Sequence, residues 1–92
     1  MYKVANTNRY TKDLKRIASN PKLVREINDV VRLLAASDVP LPQKYQDHQL
    51  KGKFIEFREC HIRPDWLLVY KKTAKNLILA LIRTGTHAEI FK

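Results

Sequence analysis

The chain has 92 residues, of which 18 are Lys or Arg and nine are Asp or Glu, giving a formal net charge of +9 at pH 7. A chain this short forms one domain with a modest core, and the charge favours a polyanionic partner: RNA, DNA, an anionic membrane or an acidic protein. The single Cys60 excludes an internal disulfide. No run approaches the roughly 20 apolar residues of a membrane span, and the N-terminus lacks the apolar core of a signal peptide. We therefore expect one domain over residues 1–92 in the cytoplasm.

The chain begins with a predicted strand and a basic amphipathic helix. Residues 2–6 alternate enough to predict a short strand, and Thr7 or Asn8 can cap the helix that follows. Apolar residues then recur at helical spacing opposite a face of Lys and Arg, and the helix should end near Ser19. These apolar positions are Tyr10, Leu14 and Ile17.

A second helix follows directly. Asn20 can serve as its N-cap and Pro21 as its first residue, where the missing N–H of proline costs nothing. Its apolar stripe consists of Leu23, Ile27, Val30, Val31 and Leu34. The two helices therefore predict a helical hairpin, followed over residues 37–53 by a long loop of the kind that is more often functional than idle.

The second half of the chain changes to the period of strands. We predict strands over Phe54–Ile62, Trp66–Lys72 and Leu77–Arg83, the second of them central because it is almost wholly apolar. Tight turns at residues 63–65 and 73–76 make these strands an antiparallel meander. The fold class is therefore α+β, a two-layer β-α-α-β-β-β domain with an antiparallel sheet packed against a helical hairpin.

The three histidines lie in or beside irregular segments, a placement that suits chemistry better than packing. His48 is in the long loop, His61 ends a strand, and His87 follows the last strand. The turn at Pro64 brings His61 beside Asp65. Taken singly, each histidine could be an ordinary solvated residue, and Asp65 could merely stabilise its turn.

Two further side chains belong to the same predicted end of the sheet. Arg83 leaves the third strand of the meander, and Trp66 begins the central one, where it could also be core. Cleavage of an RNA phosphodiester needs a base for the 2'-hydroxyl, an acid for the leaving 5'-oxygen and a cation for the phosphate. Histidine can act as base or acid near neutral pH, Arg83 can bind phosphate, and Trp66 or Phe91 can stack on a base.

A metal site is the competing use of these residue types. Cys60 and His61 are adjacent in a predicted strand and should point to opposite faces, and the sequence has no Cys-x-x-Cys or His-x-x-x-His pair. We therefore expect no metal and no cofactor, and we expect Cys60 to be a buried small hydrophobic residue.

Three stretches of the chain resemble the YafQ branch of the RelE superfamily. They are Asp47-His48-x-Leu50-x-Gly52, then Arg58-Glu59-Cys60-His61-Ile62-x-Pro64-Asp65-Trp66-Leu67-Leu68-Val69-Tyr70, then Arg83-Thr84-Gly85-Thr86-His87-x-x-x-Phe91. The resemblance covers the whole chain. It implies a RelE-like fold and a toxin of a type II toxin–antitoxin pair that enters the ribosomal A site, cuts mRNA and so inhibits translation.

The resemblance also implies roles for individual residues. His87 matches the general acid, and the base is left open among His48, His61 and Asp65. Arg83 matches the residue that steadies the phosphate. Trp66 and Phe91 match residues that hold the nucleotide, and Lys51 and Lys53 are further candidates for substrate binding. The implied partners are mRNA, ribosomal RNA and an acidic, partly disordered antitoxin that wraps the basic surface.

Two other classes of function remain open at this point. A toxin of the same fold could poison DNA gyrase by binding, in which case it would inhibit supercoiling without cutting RNA. A non-catalytic RNA-binding module could use the basic helices alone, and changing His87 would then leave its activity intact. An enzyme that uses histidines should instead show a rate that depends on pH between about 5 and 8.

Overall fold

A computed structural model of the chain describes residues 1–91, so Lys92, the last residue of the predicted domain, lies outside the described residues. The elements in chain order are β1 (Lys3–Asn6), α1 (Asn8–Arg16), α2 (Pro21–Ala36), β2 (His48–Gln49), β3 (Arg58–Arg63), β4 (Trp66–Thr73), β5 (Ile78–Gly85) and α3 (His87–Ile90). Single turns of 3-10 helix, Gln43–Tyr45 and Gly52–Phe54, flank β2. The predicted α+β class and its element order are confirmed, and β2 and α3 are added to them.

The five strands form one sheet in the order β1-β5-β4-β3-β2. The three pairs from β2 to β5 are antiparallel, as predicted, and β4 is the central strand. β1 runs parallel to β5, so the sheet is mixed and the prediction of a purely antiparallel sheet is corrected. The physical reason is that no tight turn joins β1 to β5, since two helices and three strands lie between them in the chain, and only a tight turn requires antiparallel pairing.

Both helices begin where the sequence predicts. The side chains of Thr7 and Asn20 each accept the backbone N–H three residues ahead, and Pro21 is the first residue of α2. α1 ends at Arg16, and residues 17–19 form a turn instead of a last helical turn up to Ser19. The predicted apolar stripe of α2 is buried at all five positions, Leu23, Ile27, Val30, Val31 and Leu34. Among residues 1–91 no helix is long and apolar enough to cross a membrane.

Helices α1 and α2 cover one face of the sheet. The sheet contributes Cys60, Leu68, Tyr70, Leu79 and Leu81 to the core beneath the helices. Because side chains alternate along a strand, the residues between these point to the opposite face. Across the sheet, Glu59 pairs with Val69 and Val69 with Arg83, and His61 pairs with Leu67, so these residues share the face away from the helices.

Among β3, β4 and β5, two predicted strand boundaries differ from the structure by two or more residues, and three others differ by one residue. Residues 54–57 form the end of a 3-10 turn and a further turn, so β3 begins at Arg58, whereas we predicted a strand from Phe54. Apolar residues in this stretch favoured a strand, but Gly52 adopts a positive φ of 64° that starts the turn. β5 continues through Gly85 because its last residues pair with the first residues of β4.

Candidate active site

The three histidines meet around a carboxylate that the sequence analysis did not select. Glu59 lies in β3, faces away from the helices and is only 3% exposed. The Nε2 atoms of His48, His61 and His87 lie 3.5, 3.8 and 4.0 Å from Glu59 Oε1. We call these four residues the His–Glu cluster.

Local structure explains why these side chains converge. Glu59 and His61 are two residues apart in a strand, so they share a face. His48 lies directly opposite Glu59 in the pairing of β2 with β3. Gly85, the last residue of β5, pairs with Leu67 of β4, and Leu67 pairs with His61 of β3, so His87, two residues after Gly85, begins α3 at the same end of the sheet. The period of two along the strand was the sequence signal that could have identified Glu59.

Backbone carbonyls orient two of the three rings. His48 Nδ1 lies 2.7 Å from the carbonyl oxygen of Gln46, and His61 Nδ1 lies 3.3 Å from that of Pro64. A carbonyl oxygen can only accept a hydrogen bond, so we infer that Nδ1 carries a proton in both rings. Nε2 of each ring then faces the buried carboxylate of Glu59.

A capping box holds α3, and with it His87. The Thr86 side chain accepts the N–H of Glu89, and Glu89 Oε1 accepts the N–H of Thr86 at 2.9 Å. Arg16 of α1 donates to Glu89 Oε2 at 2.6 Å. The hydrogen bond from the Thr86 backbone, with the neighbouring Arg16, lowers the pKa of Glu89 below its ordinary value. A Cβ at Gly85 would lie 3.1 Å from Glu89 Oε1, so glycine suits this close approach.

A row of rings extends from the His–Glu cluster. The ring centroids of His61 and His87 are 6.1 Å apart, those of His87 and Phe91 are 5.8 Å apart, and those of Phe91 and Phe54 are 5.4 Å apart. Lys53 Nζ lies 5.3 Å from the centroid of Phe54. Phe91 thus adjoins His87, and Lys53 lies at the far end of the row; their role in substrate binding stays a prediction. Phe54 was missed because its segment was predicted to be a strand.

Arg83 is on the face of the His–Glu cluster but is already paired. Its Nε and Nη2 lie 2.8 and 3.3 Å from the carboxylate oxygens of Asp13 in α1, and the N–H of Thr84 donates to the same carboxylate at 3.0 Å. Two strand spacings separate Arg83 from Glu59, a distance of roughly 10 Å between Cα atoms. Within residues 1–91 the other N–H groups of the guanidinium make no hydrogen bond, and the side chain is 15% exposed.

The remaining candidates lie outside the His–Glu cluster. Asp65 is in the exposed turn between β3 and β4, and within residues 1–91 its carboxylate makes no hydrogen bond or ion pair. Trp66 packs against the core on the helix side and donates from Nε1 to Thr84 Oγ1 at 2.8 Å. Lys51 is exposed, next to the turn that carries Lys53. A turn brings neighbours in sequence together, but strand alternation decides which face each one occupies.

Cys60 faces the core, and its prediction as a small buried hydrophobic residue is confirmed. It is fully buried and makes no disulfide, and burial is the main reason why the pKa of its thiol rises to about 12. Within residues 1–91, no three or more His, Cys, Asp or Glu side chains are arranged to hold a metal ion.

Known proteins share both the sequence and the fold. A family model described as the bacterial toxin YafQ of type II toxin–antitoxin systems matches residues 2–92. The "mRNA interferase toxin YafQ" of Escherichia coli K12 is 40% identical over 82 residues, which cover 89% of this chain and 87% of the relative. In the crystal structure of the E. coli DinJ–YafQ complex, the matching chain has a TM-score of 0.88, 33% identity and full coverage of both chains.

A structure described as a metal-bound toxin from Helicobacter pylori has a TM-score of 0.88 and 41% identity, and the match covers 99% of this chain and 100% of the other. The resemblance stated from the sequence is confirmed by the family model and by these relatives. The chain therefore belongs to the YafQ family of toxins of bacterial type II toxin–antitoxin systems.

Proposed function

We propose that the chain is an endoribonuclease, an mRNA interferase that cuts mRNA in the ribosomal A site and so inhibits translation in the cytoplasm. The observation that carries this proposal is the His–Glu cluster, in which three imidazole Nε2 atoms lie within 4.0 Å of one buried carboxylate oxygen. Groups that exchange protons near neutral pH are what cleavage of a phosphodiester needs. The named activity of the E. coli relative supports the same reaction class.

The reaction is a transfer within the RNA backbone. A base takes the proton of the ribose 2'-hydroxyl while its oxygen bonds to phosphorus. The bond from phosphorus to the 5'-oxygen breaks, and a general acid protonates that oxygen, leaving a 2',3'-cyclic phosphate and a 5'-hydroxyl. His87, with 57% of its side chain exposed, is the general acid. The base is His48 or His61, and Asp65 is the weaker candidate because it lies outside the cluster.

The surrounding residues bind the substrate. The free N–H groups of Arg83 steady the charge on phosphorus, although Asp13 holds the other edge of the guanidinium. Phe91, in the row of rings, stacks on a base, and Lys51 and Lys53 attract the phosphate backbone. Trp66 faces the helices, so we expect it to support the site by packing more than by stacking.

The proposed reaction uses no metal because side chains of the cluster carry out both proton transfers. Since the H. pylori relative is described as metal-bound, the proposal needs a direct check. A short model RNA should be cut at the same rate before and after the protein is treated with EDTA. Loss of the rate, with recovery on adding copper or zinc, would show that the reaction depends on a metal.

The decisive experiment adds the purified protein to ribosomes translating a defined mRNA and maps the new 5' ends. The wild type should cut within the A-site codon, and His87→Ala should lower the cleavage rate about 10²- to 10⁴-fold because the leaving oxygen loses its acid. Lys75→Ala, in the exposed turn that joins β4 to β5 at the end of these strands away from Leu67 and Gly85, is the control and should cut normally. Equal cleavage by His87→Ala and the wild type would rule out the proposed mechanism.

The proposed partner is an antitoxin that is acidic and partly disordered. Its charge would complement the net charge of +9, and nine of the 18 Lys and Arg residues lie in each half of the chain, so the basic surface is not confined to a tail. The E. coli relative is known in a complex with DinJ. Binding across this surface would exclude RNA both by charge neutralisation and by steric occlusion.

A further inference from the structure

The residue that precedes His48 is anchored from the other face of the sheet. Asp47 Oδ1 accepts a hydrogen bond from Tyr70 OH at 2.6 Å and lies 3.3 Å from Arg58 Nε. Tyr70 is 1% exposed and belongs to the core beneath the helices. The Asp47 side chain is 15% exposed. A loop residue is therefore tied to the centre of the molecule.

This anchor bears directly on the histidine beside it. Side chains of consecutive residues in an extended chain point to opposite faces, so holding Asp47 towards the core directs His48 to the face that carries Glu59. β2 itself is only two residues long and follows a long irregular segment, so its strand pairing alone gives little rigidity. Gln46, whose carbonyl binds the His48 ring, has a positive φ of 49°, a conformation that neighbouring contacts must maintain.

We propose that Tyr70 and Asp47 are positioning residues that hold the His48 ring against Glu59 from the opposite face of the sheet. The inference rests on the proposed function, because His48 is one of its two main candidates for the base. Neither residue contacts the reacting atoms; each acts through the backbone of residues 46–48.

The Tyr70 hydroxyl is suited to this role. Burial, followed by the hydrogen bond to Asp47, raises the pKa of Tyr70 well above its ordinary value of 10.0, so the hydroxyl stays protonated and remains a donor. Arg58 is a looser partner, since its side chain is 42% exposed and its bond is longer. Removing the Tyr70 hydroxyl should therefore release Asp47 while the ring still fills the core.

The test substitutes Tyr70→Phe and observes the ring of His48 in the free protein. Two-bond ¹H–¹⁵N spectra of the wild type should show His48 with its proton on Nδ1, and Tyr70→Phe should give a mixture of tautomers at His48 alone. On the proposed RNA substrate kcat should fall about 10- to 100-fold, as expected for a misplaced catalytic group, while KM stays within about twofold. A merely structural role would not change the His48 tautomer while His61 and His87 kept theirs.

The chain offers a matched control. Tyr2 is also buried, and its hydroxyl donates to Asp38 Oδ1 at the same distance, 2.6 Å. Tyr2→Phe removes a bond of the same chemistry that does not touch residues 46–48, so the His48 spectrum and kcat should stay at wild-type values.

A second pair of variants keeps the proposal testable if Tyr70→Phe folds poorly. Asp47→Asn retains an oxygen that accepts from Tyr70 and should preserve the His48 tautomer, whereas Asp47→Ala should lose it. A wild-type His48 spectrum in both Tyr70→Phe and Asp47→Ala would overturn the positioning role. The spectra are recorded without RNA, so they test the positioning role independently of the proposed function. If the variants change the His48 spectrum but the wild type does not cut RNA, the proposed function is overturned and the positioning role stands.

Discussion

Two carboxylate side chains are buried among residues 1–91, and their surroundings differ. Asp13 is 4% exposed and Glu59 is 3% exposed. Asp13 accepts three hydrogen bonds, two from the guanidinium of Arg83 and one from the backbone N–H of Thr84. Glu59 faces three imidazoles at 3.5 to 4.0 Å, distances longer than those of good hydrogen bonds. One carboxylate has a permanent cation, and the other has partners whose charge changes with protonation.

This difference separates a structural anchor from a candidate catalytic group. Asp13 binds β5 beyond the end of β1, where the N–H of Thr84 has no strand partner, and so joins α1 to the sheet. A buried acid without a fixed partner costs stability, and such costs are typical of functional sites. Removing the charge of Glu59 should therefore lower RNA cleavage without lowering the free energy of unfolding, whereas removing the charge of Asp13 should lower the free energy of unfolding.

The largest effect should come from Glu59→Gln. The amide keeps the shape of the side chain but cannot stabilise a protonated histidine, so RNA cleavage should fall about 10²- to 10³-fold. The free energy of unfolding should stay the same or rise slightly, because an uncompensated buried charge is gone. Initial cleavage rates and urea unfolding measure the two quantities.

Glu56→Gln is the matched control for this substitution. Glu56 is 64% exposed and pairs with Lys71 at the surface, so neither quantity should change appreciably. Wild-type cleavage by Glu59→Gln, or a loss of several kcal/mol of stability, would show that Glu59 is an anchor like Asp13.

The site could be predicted only in part from the sequence. The three histidines were selected, and they do converge, but Glu59 was overlooked although it stands two residues before His61 in the same strand. Trp66 was grouped with His61 because a turn joins them, yet it packs on the other face. The Asp13 pair joins residues 70 positions apart, and a contact that long-range depends on tertiary packing.

The next effect in size is on stability, from Asp13→Ala. Removing one partner of a buried ion pair leaves Arg83 uncompensated, so the free energy of unfolding should drop by about 3 kcal/mol. Asp29→Ala is the control, since Asp29 pairs with Arg32 on the exposed side of α2 and should matter by less than about 0.5 kcal/mol. Urea unfolding compares the two, and equal midpoints would show that the Asp13 pair does not anchor α1.

The fold was more predictable than the site because its signals are local. The N-cap Asn20 and the apolar stripe of α2 depend on local spacing and were correct, and the N-cap of α1 is Thr7, one of its two candidates. The parallel pairing of β1 with β5 was missed since it depends on where the helices return the chain. Residues 54–57 were assigned to a strand because this segment is rich in apolar residues, as strands are. In the structure it lies in turns instead.

A third carboxylate, Glu89, lies between these extremes and gives the smallest predicted effect. It accepts the backbone N–H of Thr86 and pairs with Arg16, whose side chain is 60% exposed. The backbone hydrogen bond, with Arg16, puts its folded pKa below the ordinary 4.5. A lowered folded pKa means that the ionised group stabilises α3 above about pH 4.5 and that this stabilisation is lost as the pH falls through the lower value.

The expected loss is a few tenths of a kcal/mol, because solvent screens the exposed pair. The ¹³Cα shift of Ala88, inside α3, should move towards its unfolded value as the pH falls below 4.5 in the wild type. In Glu89→Gln, which keeps the capping hydrogen bond without a titrating group, the shift should stay constant over that range. A constant shift in the wild type would mean that α3, and the placement of His87 with it, depends on packing against β5 and not on the charge of its cap.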